Sequence, residues 1–320
     1  MTGHGTRRAT RARRRGGWSL PLAVALVVLL VAAAAAVGLW MRPGDLLGQS
    51  SEQSAAQSGS VLDRVTVSGR PGATPVLTLT APLEVSGEKY REIATGTGRT
   101  ITEGAPVVLA ITAFDGADGT ILSPDARPRT TAGLAGSGEF DEVLDRAVLG
   151  RKKGARLLFV RSIAPTDTES GAGDVQVEVD VVDILPSVAD GEEVEVPADA
   201  PVTVTLGDDG PMVSHEGAAP EGETTQLLLR GSGSQVRSGD RVLAQFSVTG
   251  WSDGEVREST WGTGLPRVID LSTAMPGLVE ALVDQRVGSR LVVTIPPELA
   301  TGDDTLIAVV DVLGTSPGTS

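Results

Sequence analysis

The clearest hydrophobic pattern lies in residues 276–299, which read PGLVEALVDQRVGSRLVVTIPPEL. Apolar side chains recur there at helical spacing, at Leu278, Val279, Leu282 and Val283. This spacing predicts a short helix with one buried face, and Pro276 suits its first turn because proline has no N–H to lose. Glycine is common just past helix ends, so we expect Gly288 to mark the end of this helix.

An unbroken apolar run follows the predicted helix. Residues 291–295 predict a buried strand, and Pro296-Pro297 would end it because proline cannot donate to a sheet ladder. A helix packed on a strand forms the core of an α+β domain. We therefore predict an α+β fold in which a curved antiparallel sheet surrounds one short helix.

The same order of patterns occurs earlier in the chain. Residues 143–160 resemble residues 278–295 in sequence. A repeat this long, present twice, indicates duplicated domains rather than a solenoid. We predict the two domains at residues 73–187 and 199–316.

Each predicted domain contains strands joined by tight turns. Residues 107–114 and 242–248 are apolar or alternating runs, and an Asp-Gly pair, a good hairpin signal, follows each of them. Residues 139–149 predict the helix of the first domain, with acids in the first turn where the helix dipole favours them. Residues 175–185 alternate valine with polar residues, which predicts a half-exposed strand.

Residues 18–41 form an apolar stretch without any charge. About 20 apolar residues span a bilayer, and Trp18 and Trp40 lie at the two ends, where interfacial aromatic residues are typical. Arginine-rich residues 1–17 precede the stretch. We expect a cytoplasmic basic tail, a single transmembrane helix and extracellular C-terminal domains. The alternative is a cleaved signal peptide, because the small residues at 34–36 resemble a cleavage site.

Residues 42–72 are rich in Ser, Gln and Gly and are low in hydrophobicity. Such a segment buries too little apolar surface to stay folded, so we predict a flexible linker. A recognition segment is the alternative.

Charge excludes one class of partner. The formal net charge is −14, and the acids concentrate beyond the N-terminal arginines. An acidic body repels nucleic acid, so we expect no nucleic-acid partner.

The absence of cysteine removes several kinds of chemistry. No disulfide, thiol nucleophile, thiolate metal site or lipid attachment through an N-terminal cysteine is available. The glycine pairs at 96–98 and 231–233 lack the helix and Lys-Ser/Thr of a phosphate loop. His215 has no obvious catalytic partner. We expect no metal, no cofactor and no Ser-His-Asp hydrolase.

The segment that follows residue 274 is similar to a known family. It resembles the FKBP-type peptidyl-prolyl isomerases, whose motifs in this region are "I-x-G-W-x-x-x-L", "V-G-x-R" and "I-P-P-x-L-x-Y-G". The positions that match or nearly match these motifs are Met275, Gly277, Leu278, Leu282, Val287, Gly288, Arg290, Ile295, Pro296, Pro297, Leu299 and Gly302. Residues 248–250 and 253–260 stand where the family has "Y-T-G" and "D-G-x-x-F-D-S-S". The resemblance is carried mainly by the second repeat, and it implies two tandem FKBP-like domains.

The resemblance also implies a proline-binding site. Family pocket positions fall on Val248, Arg257, Glu258, Leu278, Thr301 and Ala308, and Met275 begins the helix motif. On this basis we predict Glu258 and Trp261 as catalytic residues. We predict that substrate contacts come from Val248, Trp251, Arg257, Met275, Leu278, Thr301 and Ala308. Trp251 and Trp261 are the residues expected to line the cleft where the family's aromatic side chains are replaced.

Two functions remain open from the sequence. One is a membrane-anchored isomerase that acts on proline-containing polypeptides or unfolded extracytoplasmic proteins. The other is a catalytically inactive FKBP-like module, a chaperone or scaffold that binds extended peptides. The first repeat is interpreted as a degenerate copy with a structural or partner-binding role.

Overall fold

The computed structural model describes residues 60–163, 176–207 and 209–318. The α-helices within these ranges are α1 (Glu142–Val148) and α2 (Pro276–Leu282). Short 3₁₀ turns occur at Val61–Arg64, Pro124–Ala126 and Pro297–Leu299. The described part of the chain contains no helix long and apolar enough to cross a membrane. The predicted transmembrane helix at 18–41, its basic tail and most of the predicted linker lie outside the described residues.

Antiparallel strands are the main regular secondary structure of the described chain. Those of the first half are β1 (Val65–Ser68), β2 (Val76–Leu79), β3 (Glu88–Ala94), β4 (Pro106–Asp115), β5 (Arg129–Leu134), β6 (Arg156–Ile163) and β7 (Gln176–Leu185). Those of the second half are β8 (Glu192–Glu193), β9 (Val202–Gly207), β10 (Gly210–His215), β11 (Thr224–Arg230), β12 (Arg241–Gly250), β13 (Val256–Ser259), β14 (Arg267–Asp270), β15 (Arg290–Ile295) and β16 (Leu306–Ser316).

The two main sheets share one strand order. The first sheet runs β3-β6-β7-β4-β5. In the second, β11-β15-β16-β12 takes the corresponding places, β8 extends the sheet beyond β11, and both β13 and β14 pair with β12. The predicted α+β class with antiparallel sheets and few helices is confirmed. The exact boundaries at 73–187 and 199–316 stay predictions.

The apolar face of α2 packs on the second sheet. Leu278, Ala281 and Leu282 join Val293 and Ile295 of β15 in one buried cluster. Leu282 is fully buried. The helical spacing in the sequence therefore identifies the face that the sheet covers.

The structure corrects the predicted end of α2. The helix ends at Leu282, and Asp284 then adopts a left-handed φ of 69°. The N–H of Gln285 donates to the carbonyl of Leu282 at 3.1 Å, which closes the turn. Gly288 instead donates to the carbonyl of Val312 at 2.7 Å and leads into β15. The prediction that Gly288 marks the helix end is wrong, because an aspartate can take the left-handed conformation as well.

The first helix is shorter than the predicted range of 139–149. The side chain of Asp141 accepts a hydrogen bond from the N–H of Leu144 at 2.9 Å. This N-cap satisfies a free donor of the first turn, so α1 begins at Glu142.

A two-stranded ribbon covers the opposite face of each sheet. β9 and β10 pair with each other, and Val202 packs against Val292, Ile307 and Val309 of the second sheet. β1 and β2 form the corresponding ribbon on the first sheet. Each sheet therefore lies between a helix and a ribbon.

The two sheets also pack against each other. Val108 and Leu185 of the first sheet form a buried cluster with Leu243 and Leu313 of the second. Arg127 adds a bidentate ion pair with Asp240, with both hydrogen bonds at 2.7 Å. This contact fixes the two sheets in one compact unit.

Candidate functional site

A cleft of about 680 Å³ opens on the helix-bearing face of the second sheet. Its floor is formed by Val248, Met275 and Leu306. Its rim is formed by Ser252, Arg257, Glu258 and the loop at 301–304. The cleft thus combines an apolar floor with polar and charged walls.

Strand alternation explains the apolar floor. Val248 of β12 and Leu306 of β16 both point towards α2, whose N-cap residue is Met275. Leu278 and Ala308 belong to the same buried cluster and lie among these side chains, without lining the cleft themselves. The floor is therefore the exposed end of the domain core.

Arg257 lies on the rim within a group of acids. Its Nη2 donates to Asp253 at 2.7 Å and lies 3.4 Å from the Asp304 carboxylate, while its Nη1 lies 3.6 Å from Glu255. The hydrogen bond to Asp253 raises the pKa of the Arg257 guanidinium. Gly250 makes room for this group, because a Cβ there would collide with the guanidinium and with Asp304.

Asp304 connects the two loops of the rim. Its carboxylate accepts hydrogen bonds from the hydroxyl of Ser252 at 3.0 Å and from the N–H of the same residue at 3.3 Å. The N–H of Trp251 donates to the carbonyl of Thr305 at 2.8 Å in the same region. The β12–β13 turn is thereby held against the loop that precedes β16.

Glu258 forms an ion pair with Arg267. Glu258 lies opposite Val248 in the β12–β13 pairing, which places it beside the cleft floor. The Arg267 guanidinium in turn lies 6.0 Å from the centre of the Phe246 ring. The Glu258 carboxylate is therefore oriented by a neighbouring cation rather than by a buried pocket residue.

Five predicted site residues meet at this cleft. They are Val248, Arg257, Glu258, Met275 and Thr301. Their roles in binding or catalysis stay predictions. Leu278 and Ala308 lie within the core behind the floor, so direct substrate contact by these two side chains requires the floor residues to move.

The structure corrects the predicted position of Trp251. Its ring lies on the opposite face of the sheet, in the cluster that contains Val202, and stacks on His215 with ring centres 3.9 Å apart. Successive side chains of a strand point to opposite faces of the sheet. Trp251 therefore lies on the same face as Thr249, while Val248 points to the other face. The expectation that Trp251 lines the cleft is wrong.

Trp261 is also on the ribbon side of the sheet. Its ring centre lies 5.7 Å from the Arg290 guanidinium, and its side chain fills the space next to Gly210 at the β9–β10 turn. Trp261 is not among the residues that line the cleft. The expectation that it acts there as a catalytic residue is therefore corrected.

Part of the cleft lining was not predicted from the sequence. Ser252, Asp304 and Leu306 line the cleft, although none was predicted as a site residue. The acids in the short loop before β16 were the available signal. Their pairing with Arg257 depends on two loops distant in sequence, which no local pattern reveals.

The first sheet carries charged groups at the place that corresponds to the cleft. Asp180 lies opposite Ala113 and Phe159, as Ala308 lies opposite Val248 and Val293. Only a small pocket of about 90 Å³ remains there.

A partly buried charge network occupies this small pocket. Arg161 contacts the carboxylates of Asp180 at 2.8 Å and Glu178 at 2.6 Å. Burial raises the pKa of Asp180 to about 7, and burial also raises the pKa of Glu88. Apolar side chains of Ile111, Leu144, Phe159 and Val182 also line this pocket, but it is far smaller than the cleft of the second sheet and carries charged groups.

No group of three or more His, Asp or Glu side chains in the described ranges is arranged to hold a metal ion.

The part of the chain that contains the cleft is similar to a known family. Residues 232–310 match the family described as FKBP-type peptidyl-prolyl cis-trans isomerase. A Corynebacterium glutamicum protein named "Probable FK506-binding protein" is 28% identical over 106 residues, which cover 30% of this chain and 90% of that protein.

Two solved structures are similar to the chain at low TM-scores. FkpA from Escherichia coli is 24% identical with a TM-score of 0.29, over 36% of this chain and 53% of FkpA, so the chain spans about half of that protein. The three FKBP domains of wheat FKBP73 are 18% identical with a TM-score of 0.28, over 72% of this chain and 95% of that structure.

Proposed function

We propose, from the premise that residues 232–310 are an FKBP-type peptidyl-prolyl cis-trans isomerase domain, that the chain isomerises X–Pro bonds in other polypeptides. The proposed substrate site is the cleft of the second sheet. The observation that carries this proposal is the meeting of Val248, Met275 and Leu306 as an apolar floor within the matched residues. A proline ring is the substrate group that fits such a floor.

The physical chemistry of the cleft suits this reaction. Rotation of a peptide bond has a barrier of about 18–20 kcal/mol, because it breaks amide resonance. The twisted amide is less dipolar than the planar one, so an apolar floor favours it over the ground state. Arg257 and Ser252 supply N–H and O–H donors at the rim for the carbonyl groups of the flanking peptide.

A second candidate is a binding module without catalysis. Arg257 stands where the family resemblance places an aromatic side chain, and three acids hold it at the rim. A charged rim binds peptide carbonyl groups while giving less apolar contact to a twisted amide. This observation favours a chaperone or scaffold that holds proline-containing or unfolded polypeptides.

An isomerisation assay separates the two candidates. The full-length protein is added to a proline-containing tetrapeptide, and cis–trans exchange is followed by protease coupling and by NMR exchange spectroscopy. Met275→Arg places a long cation on the cleft floor and should abolish turnover. Met212→Arg is the matched control, because Met212 is 61% exposed on the β9–β10 ribbon.

The expected result for an isomerase is exchange above the uncatalysed rate, lost in Met275→Arg and retained in Met212→Arg. Exchange at the uncatalysed rate, together with binding of an unfolded polypeptide that Met275→Arg abolishes, would assign the module instead. Equal activity in both variants would show that the cleft is not the site of the reaction.

We also propose that residues 73–187 are a second, FKBP-like copy without isomerase activity. The common strand order and the equivalent ion pairs Arg156–Asp183 and Arg290–Asp311 support the duplication. The pocket around Asp180 and Arg161 has a volume of only about 90 Å³ and is lined partly by charged groups, so it leaves little room for a proline ring in this copy. Met275→Arg should therefore remove all isomerase activity of the full chain.

The proposed location is the cell membrane, with residues 18–41 as a single transmembrane helix and the two domains outside. The chain contains no cysteine, so one introduced cysteine is a unique label. Thr78→Cys in intact cells should react with a membrane-impermeant maleimide. Reaction only after lysis would refute the orientation, and an intact mass without residues 1–36 would favour the cleaved signal peptide.

A further inference from the structure

The rim of the cleft carries more acids than cations. Among the side chains that line the cleft, Glu258, Asp303 and Asp304 are acidic, and Arg257 alone is basic. An excess of one charge at the mouth of a cleft attracts ligands of the opposite charge. The ion pairs around these groups decide how much of this excess remains.

The ion pairs of Arg257 leave negative charge uncompensated. Its single guanidinium is shared among Asp253, Asp304 and Glu255, at 2.7, 3.4 and 3.6 Å. One guanidinium carries one positive charge, so two of these three negative charges are left over. Hydrogen bonds from the Glu255 N–H and from Arg257 hold the pKa of Asp253 below its ordinary value, so this carboxyl stays ionised at neutral pH.

Glu258 and Asp303 complete the charge balance of the rim. Glu258 is matched by Arg267, so this pair adds no net charge. Asp303 is exposed and makes no hydrogen bond or ion pair with any side chain in the described ranges. Five carboxylates and two guanidiniums therefore lie at the rim, which leaves a formal charge of −3.

The cleft is large enough to hold the residues that flank a proline. Pockets that bind whole small molecules have volumes of about 300–1,000 Å³, and this cleft has a volume of about 680 Å³. A proline ring on the floor of Val248, Met275 and Leu306 therefore leaves room for its neighbours in the peptide. Those neighbours lie against the rim, where the charge is.

We propose that the cleft selects proline-containing segments in which lysine or arginine adjoins the proline. The proposal rests on the proposed function, because it takes the cleft as the place where the proline binds. The apolar floor holds the ring, and the cationic side chain lies beside Asp303 and Asp304. A charge contact in solvent at about 4 Å is worth about fivefold in affinity. Aspartate or glutamate beside the proline is disfavoured by the same field.

A matched series of substrates tests the charge without altering the protein. The peptides are terminally blocked Ala-Xaa-Pro-Phe with lysine, acetyl-lysine or glutamate at Xaa, added to the full-length protein. Calorimetry measures Kd, and NMR exchange spectroscopy measures cis–trans exchange. Acetyl-lysine keeps the side-chain stem of lysine without its charge. The lysine peptide should bind about fivefold more tightly than the acetyl-lysine peptide, and the glutamate peptide should bind more weakly than both.

Salt separates an electrostatic preference from an apolar one. Raising the ionic strength from about 0.1 M to about 1 M shortens the Debye length from about 10 Å to about 3 Å. The affinity of the lysine peptide should therefore fall towards that of the acetyl-lysine peptide. An unchanged advantage of lysine at the higher ionic strength would assign the preference to apolar contact and overturn the proposal.

Variants of Asp303 locate the preference at the rim. Asp303→Asn should reduce the advantage of lysine over acetyl-lysine, and Asp303→Lys should reduce it further. Asp303 is exposed, so both variants are expected to fold. Asp209→Asn is the matched control, because Asp209 is an exposed acid at the β9–β10 turn, on the other face of the sheet. This control should keep the full advantage of lysine.

Failure of this proposal and failure of the isomerase proposal give different results. Tighter binding of the lysine peptide, with exchange only at the uncatalysed rate, would refute the isomerase and support the charge preference. Exchange above the uncatalysed rate with equal Kd for the three peptides would support the isomerase and overturn the charge preference. The charge preference is also overturned if none of the peptides binds saturably, or if Asp303→Asn and Asp209→Asn leave the same advantage of lysine.

Discussion

Removal of the Arg127 side chain tests the contact that joins the two sheets. Arg127 makes two hydrogen bonds of 2.7 Å with Asp240, and the two side chains are 10% and 5% exposed. Arg127→Ala would leave the Asp240 carboxylate buried without its cation. Breaking a buried ion pair from one side costs about 3–5 kcal/mol. The hydroxyl of Thr315 and the N–H of Arg237 still donate to Asp240, so we expect the lower end of this range.

The pH dependence of the same contact gives a second measurable effect. Burial raises the pKa of Asp240, but hydrogen bonds from Arg127, Thr315 and the Arg237 N–H outweigh it, so the pKa lies below its ordinary value. A depressed carboxyl pKa contributes stability that is present above the unfolded pKa of 3.8 and is lost as the pH falls through the folded pKa. Arg127→Ala should therefore also reduce the loss of stability that occurs as the pH falls.

Urea unfolding monitored by circular dichroism measures the change in the free energy of unfolding. Arg146→Ala is the matched control, because Arg146 and Glu142 form an exposed pair on α1 with side chains 63% and 87% exposed. Such a pair contributes only about 0.3–0.5 kcal/mol. If Arg127→Ala costs no more than this control, the buried pair does not hold the sheets together and the reasoning fails.

Three further changes test other parts of the structure. Burial raises the pKa of Asp180 to about 7, so the stability that this group contributes is full below its unfolded pKa of 3.8 and is lost as the pH rises through about 7. Asp180→Asn should reduce the fall in the thermal unfolding temperature between pH 5 and 8. An equal fall in the variant and the unaltered protein would contradict this prediction. Leu282→Ala should cost about 2–5 kcal/mol in urea unfolding, since this side chain is fully buried, whereas Leu206→Ala, 47% exposed, should cost far less. Gly250→Ala should displace Arg257 and reduce peptide binding at the cleft, measured by calorimetry; unchanged affinity would show that the rim adapts.

Local patterns in the sequence predicted both described α-helices and the strands β4, β7, β12 and β15. The helix face at Leu278 and Leu282, the strand at 291–295 and the Asp-Gly turns all depend on residues close in sequence. Helical and strand periods are local properties, so a single sequence contains them. The end of α2 at Leu282 was missed because the left-handed Asp284 that follows it gives no signal as distinct as glycine.

The candidate site was only partly predictable. Val248, Arg257, Glu258, Met275 and Thr301 were identified through the family resemblance and meet at the cleft. Trp251 was assigned by residue type, and Trp261 by its position after the family motif at residues 253–260. The alternation of side chains along β12 placed Trp251 on the face of the sheet opposite the cleft.

The sequence by itself determined the elements, the duplicated pattern and the family resemblance of the second half, because each depends on neighbouring residues or on a motif. Only the tertiary structure decided which loops form the rim and which face each tryptophan covers. It also paired Arg127 with Asp240 and placed β8 on the edge of β11. These features depend on groups far apart in the chain, whose approach is set by sheet register and by packing between the two halves.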